Sequence, residues 1–118
     1  ERVHARSLSR AIDEARAAAA LGVPLDEVLR AASSVLEAEE GVVPDYVAIV
    51  DDDEFTLLAA TGSAAEQVDE DSREKALEAA ATQGSLRARI LLAARVGATR
   101  LIDNADVVIS VAGGARHE

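Results

Sequence analysis

Large side chains are nearly missing from this sequence, and that scarcity limits how its core can be built. Aromatic residues make up 2% of the 118 residues, namely Tyr46 and Phe55, and the chain has no tryptophan, methionine or cysteine. Hydrophobic residues still make up 49% of the chain, with alanine prominent among them. A core of leucine, valine, isoleucine and alanine requires closely spaced elements. We therefore expect one domain over residues 1–118, with helices packed tightly against a sheet.

The charge balance disfavours some classes of function. Twelve Lys and Arg stand against 22 Asp and Glu, a formal net charge of −10, which disfavours binding to nucleic acid through phosphate neutralisation. Without cysteine there is no disulfide, thiolate nucleophile or thiolate metal site. No apolar run approaches the roughly 20 residues of a membrane span. We expect a cytoplasmic protein without nucleic-acid or membrane partners.

Two helices are predicted in the first part of the chain. The apolar positions of residues 7–21 follow helical spacing, and Gly22 and Pro24 then favour a break. A second apolar stripe follows in residues 25–36. Two antiparallel helices joined by a short link would share one apolar face, which a sheet would cover.

Extended segments are predicted after the helices. Residues 45–50 are rich in β-branched and aromatic side chains, which is typical of a strand. Residues 87–96 alternate in the manner of a strand, but their leucine and alanine also favour a helix, so periodicity leaves both alternatives open. A turn signal at Gly97 and the β-branched run 107–111 predict a C-terminal hairpin.

The intervening segment 59–84 is acidic, rich in alanine and lacks a strong apolar stripe. Asp71 and Glu74 have the spacing of a capping box, which predicts a short helix over residues 72–82. We interpret 59–84 as a mobile surface excursion.

Few residues suggest chemistry. The acidic run 51–54 offers carboxylates to a hard cation, but adjacent side chains of a strand point to opposite faces, so a solvated turn is the better interpretation. His4 and His117 have no catalytic partner beside them in the sequence, and we expect both to be exposed. The residues by themselves predict no catalytic, cofactor-binding or metal-binding side chain.

One basic island stands out, formed by Arg87, Arg89, Arg95 and Arg100. In a strand the first three would share one face. Guanidinium groups pair well with carboxylates, so we expect internal ion pairs or an interdomain contact, with Arg87 and Arg89 as the candidates for that contact.

Two stretches of the sequence resemble the pantoate-beta-alanine ligases, also called pantothenate synthetases. Residues 91–104, LLAARVGATRLIDN, are similar to the signature near the C-terminus of that family, and PDYVAIVD at 44–51 is similar to one of its strands. The two leading helices correspond in order and length. The residues that carry the resemblance are Asp45, Tyr46, Asp51, Arg95, Gly97, Arg100, Asp103 and Asn104.

The resemblance implies an α+β fold. Two N-terminal helices would pack on a small antiparallel sheet of about three strands, and residues 88–96 would form a strand paired through Gly97 with the segment from Thr99. The family passes more quickly to this strand, so residues 59–84 would be an acidic, partly helical insertion before the C-terminal hairpin.

The resemblance also implies a function for a longer parent protein. Pantothenate synthetases use ATP and Mg²⁺ to convert pantoate to pantoyl adenylate, and the amine of β-alanine displaces AMP to give pantothenate. That chemistry resides in an N-terminal nucleotide-binding domain, which has a HIGH-like histidine motif, and in a Ser-Ser-Arg-Asn motif just before the C-terminal domain. Neither motif occurs here.

The chain lacks methionine and opens at Glu1 within a charged, helix-like pattern. We therefore interpret it as the excised C-terminal lid domain of a homodimeric ligase, inactive by itself and without cofactors of its own. The alternative is a free-standing acidic α+β interaction module without catalysis, which shares only a hairpin motif with the family.

Overall fold

The computed structural model describes residues 2–110, with side chains from Arg6 onward. Two helices come first, and four strands follow, with a 3₁₀ helix and a third α-helix between the second and third strands. The elements are α1 (Arg2–Ala20), α2 (Leu25–Ala38), β1 (Val42–Asp51), β2 (Leu57–Ala60), the 3₁₀ helix (Gly62–Gln67), α3 (Glu70–Ala81), β3 (Ser85–Val96) and β4 (Thr99–Ser110). The predicted α+β class is confirmed, although the sheet has four strands where about three were expected.

The first two helices form the predicted hairpin. Gly22 adopts a positive φ of 78° after α1, a conformation that costs glycine little, and its N–H donates to the Ala19 carbonyl. Pro24 lies at the N-cap of α2, where its fixed φ suits the turn. The apolar stripe of α2 is buried, including Val28, Ala32 and Leu36.

The sheet is antiparallel throughout, with strand order β2-β1-β3-β4. Strands β3 and β4 pair along their whole length, from Ser85 opposite Ser110 to Val96 opposite Thr99. Gly97, with a φ of 61°, and Ala98 make the two-residue turn between them. The strand alternative for residues 87–96 and the C-terminal hairpin are both confirmed; Val111, the last residue of the predicted β-branched run, lies beyond the described part.

Helices α1 and α2 cover one face of this sheet, with α1 over β4 and β3 and α2 over β1 and β2. The core lies between these layers. In β3 the side chains that enter it are Ala88, Ile90, Leu92 and Ala94, each at most 1% exposed. The opposite side of β3 carries Arg87, Arg89, Leu91, Ala93 and Arg95. We call this side of the sheet, together with the β1 and β4 residues that share it, the arginine face.

The two ends of the sheet can be told apart. The hairpin end carries the Gly97 turn and the start of β1, and the far end carries the turn after β1 and the last residue of β4. Helix α1 runs towards the far end, because Arg16 binds Asp106 while Gly22 lies against Ser110. The N-terminal end of α1 is therefore at the hairpin end.

Segment 59–84 contains more regular secondary structure than its sequence predicts. Its first two residues belong to β2, the edge strand that sequence reasoning missed, and Leu58 of that strand is fully buried. The predicted helix is confirmed as α3, but its predicted cap at Asp71 is wrong. Asp69 is the N-cap, because its carboxylate accepts hydrogen bonds from the Ser72 hydroxyl and N–H.

Those two hydrogen bonds, the one from the hydroxyl first, lower the pKa of Asp69 below its ordinary value. Asp71 instead lies inside the first turn of α3, where a negative charge complements the helix dipole. The description of 59–84 as a mobile insertion stays a prediction.

Candidate interdomain surface

The pairing register defines which side chains meet on the arginine face. Across β1, β3 and β4, Val43 lies opposite Arg95, which lies opposite Arg100. On the β4 side this face is open to solvent, because alternate residues from Arg100 to Val108 are exposed. The four arginines of the basic island are thus brought to one side of the sheet, but their environments differ.

Arg89 is held within the domain by two partners. Its Nη1 donates to Asn104 Oδ1 at 2.8 Å, and its Nε lies 3.5 Å from Asp52 Oδ1. Its side chain is 35% exposed and that of Asp52 30% exposed. Arg89 therefore ties the turn after β1 to the middle of β4, and it offers less to an external partner than its charge suggests.

Arg100 is held at the other end of the same face. Its Nη2 donates to Asp45 Oδ2 at 2.8 Å. This hydrogen bond joins the start of β4, beside the hairpin turn, to β1. The register of β1 against β3 shifts between Pro44 and Tyr46, so Asp45 lies in a bulge. A bulge redirects a side chain, and here it accompanies the approach of Asp45 to Arg100.

The backbone of Asp45 is also closely packed. A Cβ added to Gly62 would collide with the Asp45 carbonyl oxygen, and Gly62 has a φ of 63°. Only glycine fits at that point of contact between the 3₁₀ helix and β1. Both the side chain and the carbonyl of Asp45 are thereby fixed.

The other two arginines of the basic island are Arg87 and Arg95. Among residues 2–110, Arg87 and Arg95 form no ion pair, and both side chains are exposed. Arg87 lies near the far end of the sheet and Arg95 near the hairpin end. The expected interdomain contact through Arg87 and Arg89 stays a prediction, and the two residues differ in how available they are.

The acidic run 51–54 is a hydrogen-bonded turn. Asp51, only 8% exposed, accepts from the Asp53 and Glu54 N–H groups at 3.2 Å each. Sequence reasoning expected a solvated turn, but this first carboxylate is buried because it closes the turn. Asp53 and Glu54 do face solvent.

An open groove of about 730 Å³ separates this turn from α3. Acidic side chains of the turn line it together with Lys75 and Arg87. Among the side chains described, those of residues 6–110, no three aspartates or glutamates are grouped closely enough to hold a metal ion. The side chain of His4 and the whole of His117 lie outside what the structure describes.

The remaining signature residues hold the hairpin in place. Asp103 accepts a hydrogen bond from the Asn104 N–H at 2.8 Å, and the Asn104 amide oxygen binds Arg89. Tyr46 is half-buried beside Ala93. Of the eight, Asp45, Asp51, Arg100 and Asn104 form hydrogen bonds that fix turns or join strands. Asp103 accepts from the next N–H of its own strand, Gly97 forms the hairpin turn, and Arg95 is exposed.

None of the helices described in residues 2–110 has the length and apolar character needed to cross a bilayer. The fold and the arginine face define a small α+β domain whose polar residues organise turns and strand contacts.

Comparison with known proteins identifies the family of this domain. A sequence model of the pantoate-beta-alanine ligase family matches residues 1–106, so the chain belongs to that family. A relative, pantothenate synthetase 4 of Frankia alni (strain DSM 45986 / CECT 9034 / ACN14a), is 33% identical over 112 residues. The match covers 92% of this chain but only 27% of the relative.

Proposed function

We propose that this chain is the C-terminal lid domain of a longer pantoate-beta-alanine ligase. The observation that carries the proposal is the family match over residues 1–106, combined with the 27% share of the relative's length. Most of such a parent would lie outside this domain, and the outside part would include the nucleotide-binding chemistry. The family match also argues against a hairpin motif shared by chance with an unrelated interaction module, because it extends through both helices and the whole sheet up to Asp106.

In this proposal the parent makes pantothenate from pantoate, β-alanine and ATP. The carboxylate of pantoate is activated as pantoyl adenylate with loss of pyrophosphate, and the amine of β-alanine then displaces AMP. Water competes with the amine for an acyl adenylate, so a domain that closes over the site protects the intermediate. We assign that role to this chain.

The acidic side chains described in this domain do not fit a Mg²⁺ site. Within residues 2–110 no group of acidic or histidine side chains suits a metal, and the Asp51 carboxylate is already satisfied by backbone N–H groups. ATP and Mg²⁺ would be bound by the N-terminal nucleotide-binding domain, which is the partner that we propose for this chain. The parent would be a cytoplasmic homodimer, and we assign no catalytic residue to the domain described here.

The proposal is tested by assaying pantoate-dependent AMP formation for two proteins. One is the 118-residue chain, and the other is the product of the complete reading frame. We expect turnover from the full-length protein and none from the chain alone. Robust turnover by the chain would overturn the lid assignment.

A second measurement tests the free-standing alternative. An antibody raised against the chain should detect a polypeptide much larger than 12.3 kDa in the source cells. A native protein of 12.3 kDa without ligase activity would instead favour the acidic interaction module.

A further inference from the structure

The hairpin end of the arginine face carries a mixed patch of apolar and basic side chains. Two cross-strand rows build it, one from Val43, Arg95 and Arg100 and the next from Tyr46, Ala93 and Ile102. Val43 and Ile102 are each 62% exposed, although both are large and apolar. We call Val43, Tyr46, Arg95, Arg100 and Ile102 the hairpin patch.

The composition of the hairpin patch is that of a protein–protein interface. Tyrosine and arginine are enriched in interfaces, and the strands on either side of Arg95 carry the exposed apolar side chains of Val43 and Ile102. Arg95 has no ion pair among residues 2–110, so its guanidinium group is available. Arg100, fixed by Asp45, supplies a rigid neighbour.

The direction of α1 indicates what would cover the patch. From Arg16, which binds Asp106, the helix runs back 14 residues to Arg2, a distance of about 21 Å at 1.5 Å per residue. From Asp106, β4 runs back seven residues to Thr99, about 24 Å. The first turn of α1 and the Gly97 turn therefore lie at the same level of the domain.

Helix α2 gives the same result independently. Only three residues separate the end of α2 from the start of β1. Strand β1 begins opposite the end of β3, so the C-terminal end of α2 is at the hairpin end. Since α1 runs antiparallel to α2, its N-terminal end is there too. The domain is 47 Å long but only 18 Å through its thinnest axis, so a body joined to α1 at this end is in reach of the arginine face.

We propose that the hairpin patch docks the nucleotide-binding domain of the same polypeptide. This inference rests on the proposed function, which places that domain before α1. Val43 and Ile102 would be buried in the contact, and Arg95 would pair with an acidic group of the upstream domain. Arg87 and the exposed Val108, which lie opposite each other near the far end, would stay outside it.

Ile102 and Val108 provide a matched pair for the test. They lie on the same strand and the same face, with exposed fractions of 62% and 56%, about 20 Å apart along β4. A photo-crosslinking amino acid is placed at one or the other position in the full-length protein, and the adducts are mapped by mass spectrometry. We expect position 102 to crosslink to the upstream domain and position 108 not to do so.

Kinetics give a second readout. We expect Ile102→Asp to lower kcat/KM about tenfold and Val108→Asp to change it less than about twofold, because only the first inserts a charge into a buried contact. Far-UV circular dichroism of both variants controls for folding, and both substitutions carry the same strand cost.

The outcomes separate this inference from the proposed function. A full-length protein without ligase activity overturns the proposed function, whereas a crosslink from position 102 to the upstream domain would still support the docking surface. Crosslinks from position 108 to the upstream domain, or from position 102 only to a second copy, overturn the docking surface in an active enzyme. If position 108 crosslinks to the upstream domain, the contact lies at the far end of the sheet, near Arg87.

Discussion

The two faces of the sheet use the same strands in different ways. Leu92 and Leu91 are neighbours in β3, yet Leu92 is fully buried under the helices while Leu91 is half-buried on the arginine face. On the helix-covered face the side chains are apolar and closely packed. On the arginine face, the buried Ala48 and Ala93 lie on the same side as hydrogen-bonded charged groups such as Arg89 and Arg100. We therefore expect the helix-covered face to supply most of the stability.

The largest expected effect is a difference between the two leucines. Leu92→Ala should lower the free energy of unfolding by about 2–5 kcal/mol, because it removes buried methyl groups and leaves a cavity. Leu91→Ala removes the same atoms from a half-buried position, so the loss should be at most about half as large. Urea unfolding of the two variants, followed by circular dichroism, measures both. Equal losses would mean that the arginine face is as well packed as the covered one.

A smaller effect is expected from the pair formed by Arg100 and Asp45. Their side chains are 46% and 28% exposed, so solvent screens the attraction, and a double-mutant cycle with alanine should give a coupling of about 0.2–1 kcal/mol. Arg87→Ala is the control, since Arg87 has no ion pair within residues 2–110, and it should change stability by less than about 0.5 kcal/mol. A coupling above about 2 kcal/mol would assign a main share of the stability to the arginine face.

The smallest effect is expected at Asp69, whose hydrogen bonds from Ser72 are exposed to solvent. Because the pKa of Asp69 is lowered in the folded chain, its cap on α3 contributes fully above the ordinary aspartate value of 3.8 and is lost as the pH falls through the lower, folded value. Carboxyl chemical shifts in an NMR titration should therefore show Asp69 more than half ionised at the pH where free aspartate is half protonated. With Ser72→Ala, which removes the hydroxyl donor, the pKa should move back towards 3.8. An unchanged midpoint would contradict the assigned cause.

Most of the fold could be predicted because it is encoded locally. Periodic apolar residues and the Gly22 and Pro24 break define α1 and α2, and a two-residue turn at Gly97 defines the hairpin. Strand β2 was missed because four residues, Leu57–Ala60, give no periodicity, and leucine and alanine are not typical of strands. The cap of α3 was misassigned because Asp69 and Asp71 are each followed three residues later by a side chain that suits a helix N-terminus. Which of them is the N-cap depends on the residue at which the helix begins.

The contacts of the arginine face were less predictable. Alternation in β3 placed three arginines together, and that part follows from the strand geometry alone. The partner of Arg100 lies 55 residues away and depends on a bulge in β1. A bulge shifts every later pairing by one residue, so neither Asp45 nor the exposed patch beside it could be identified without the three-dimensional register.

Arg16 has a consequence for the behaviour of the protein in solution. Strand β4 is 12 residues long and has one unpaired edge, the kind of edge on which strands of other molecules add and fibrils begin. Arg16 reaches it from α1 and donates from Nε to the Asp106 carbonyl at 2.9 Å and from Nη2 to its carboxylate at 3.1 Å. The centre of the edge is thus occupied by a charged side chain. Charged side chains on an edge strand are one of the features by which natural sheets block such additions.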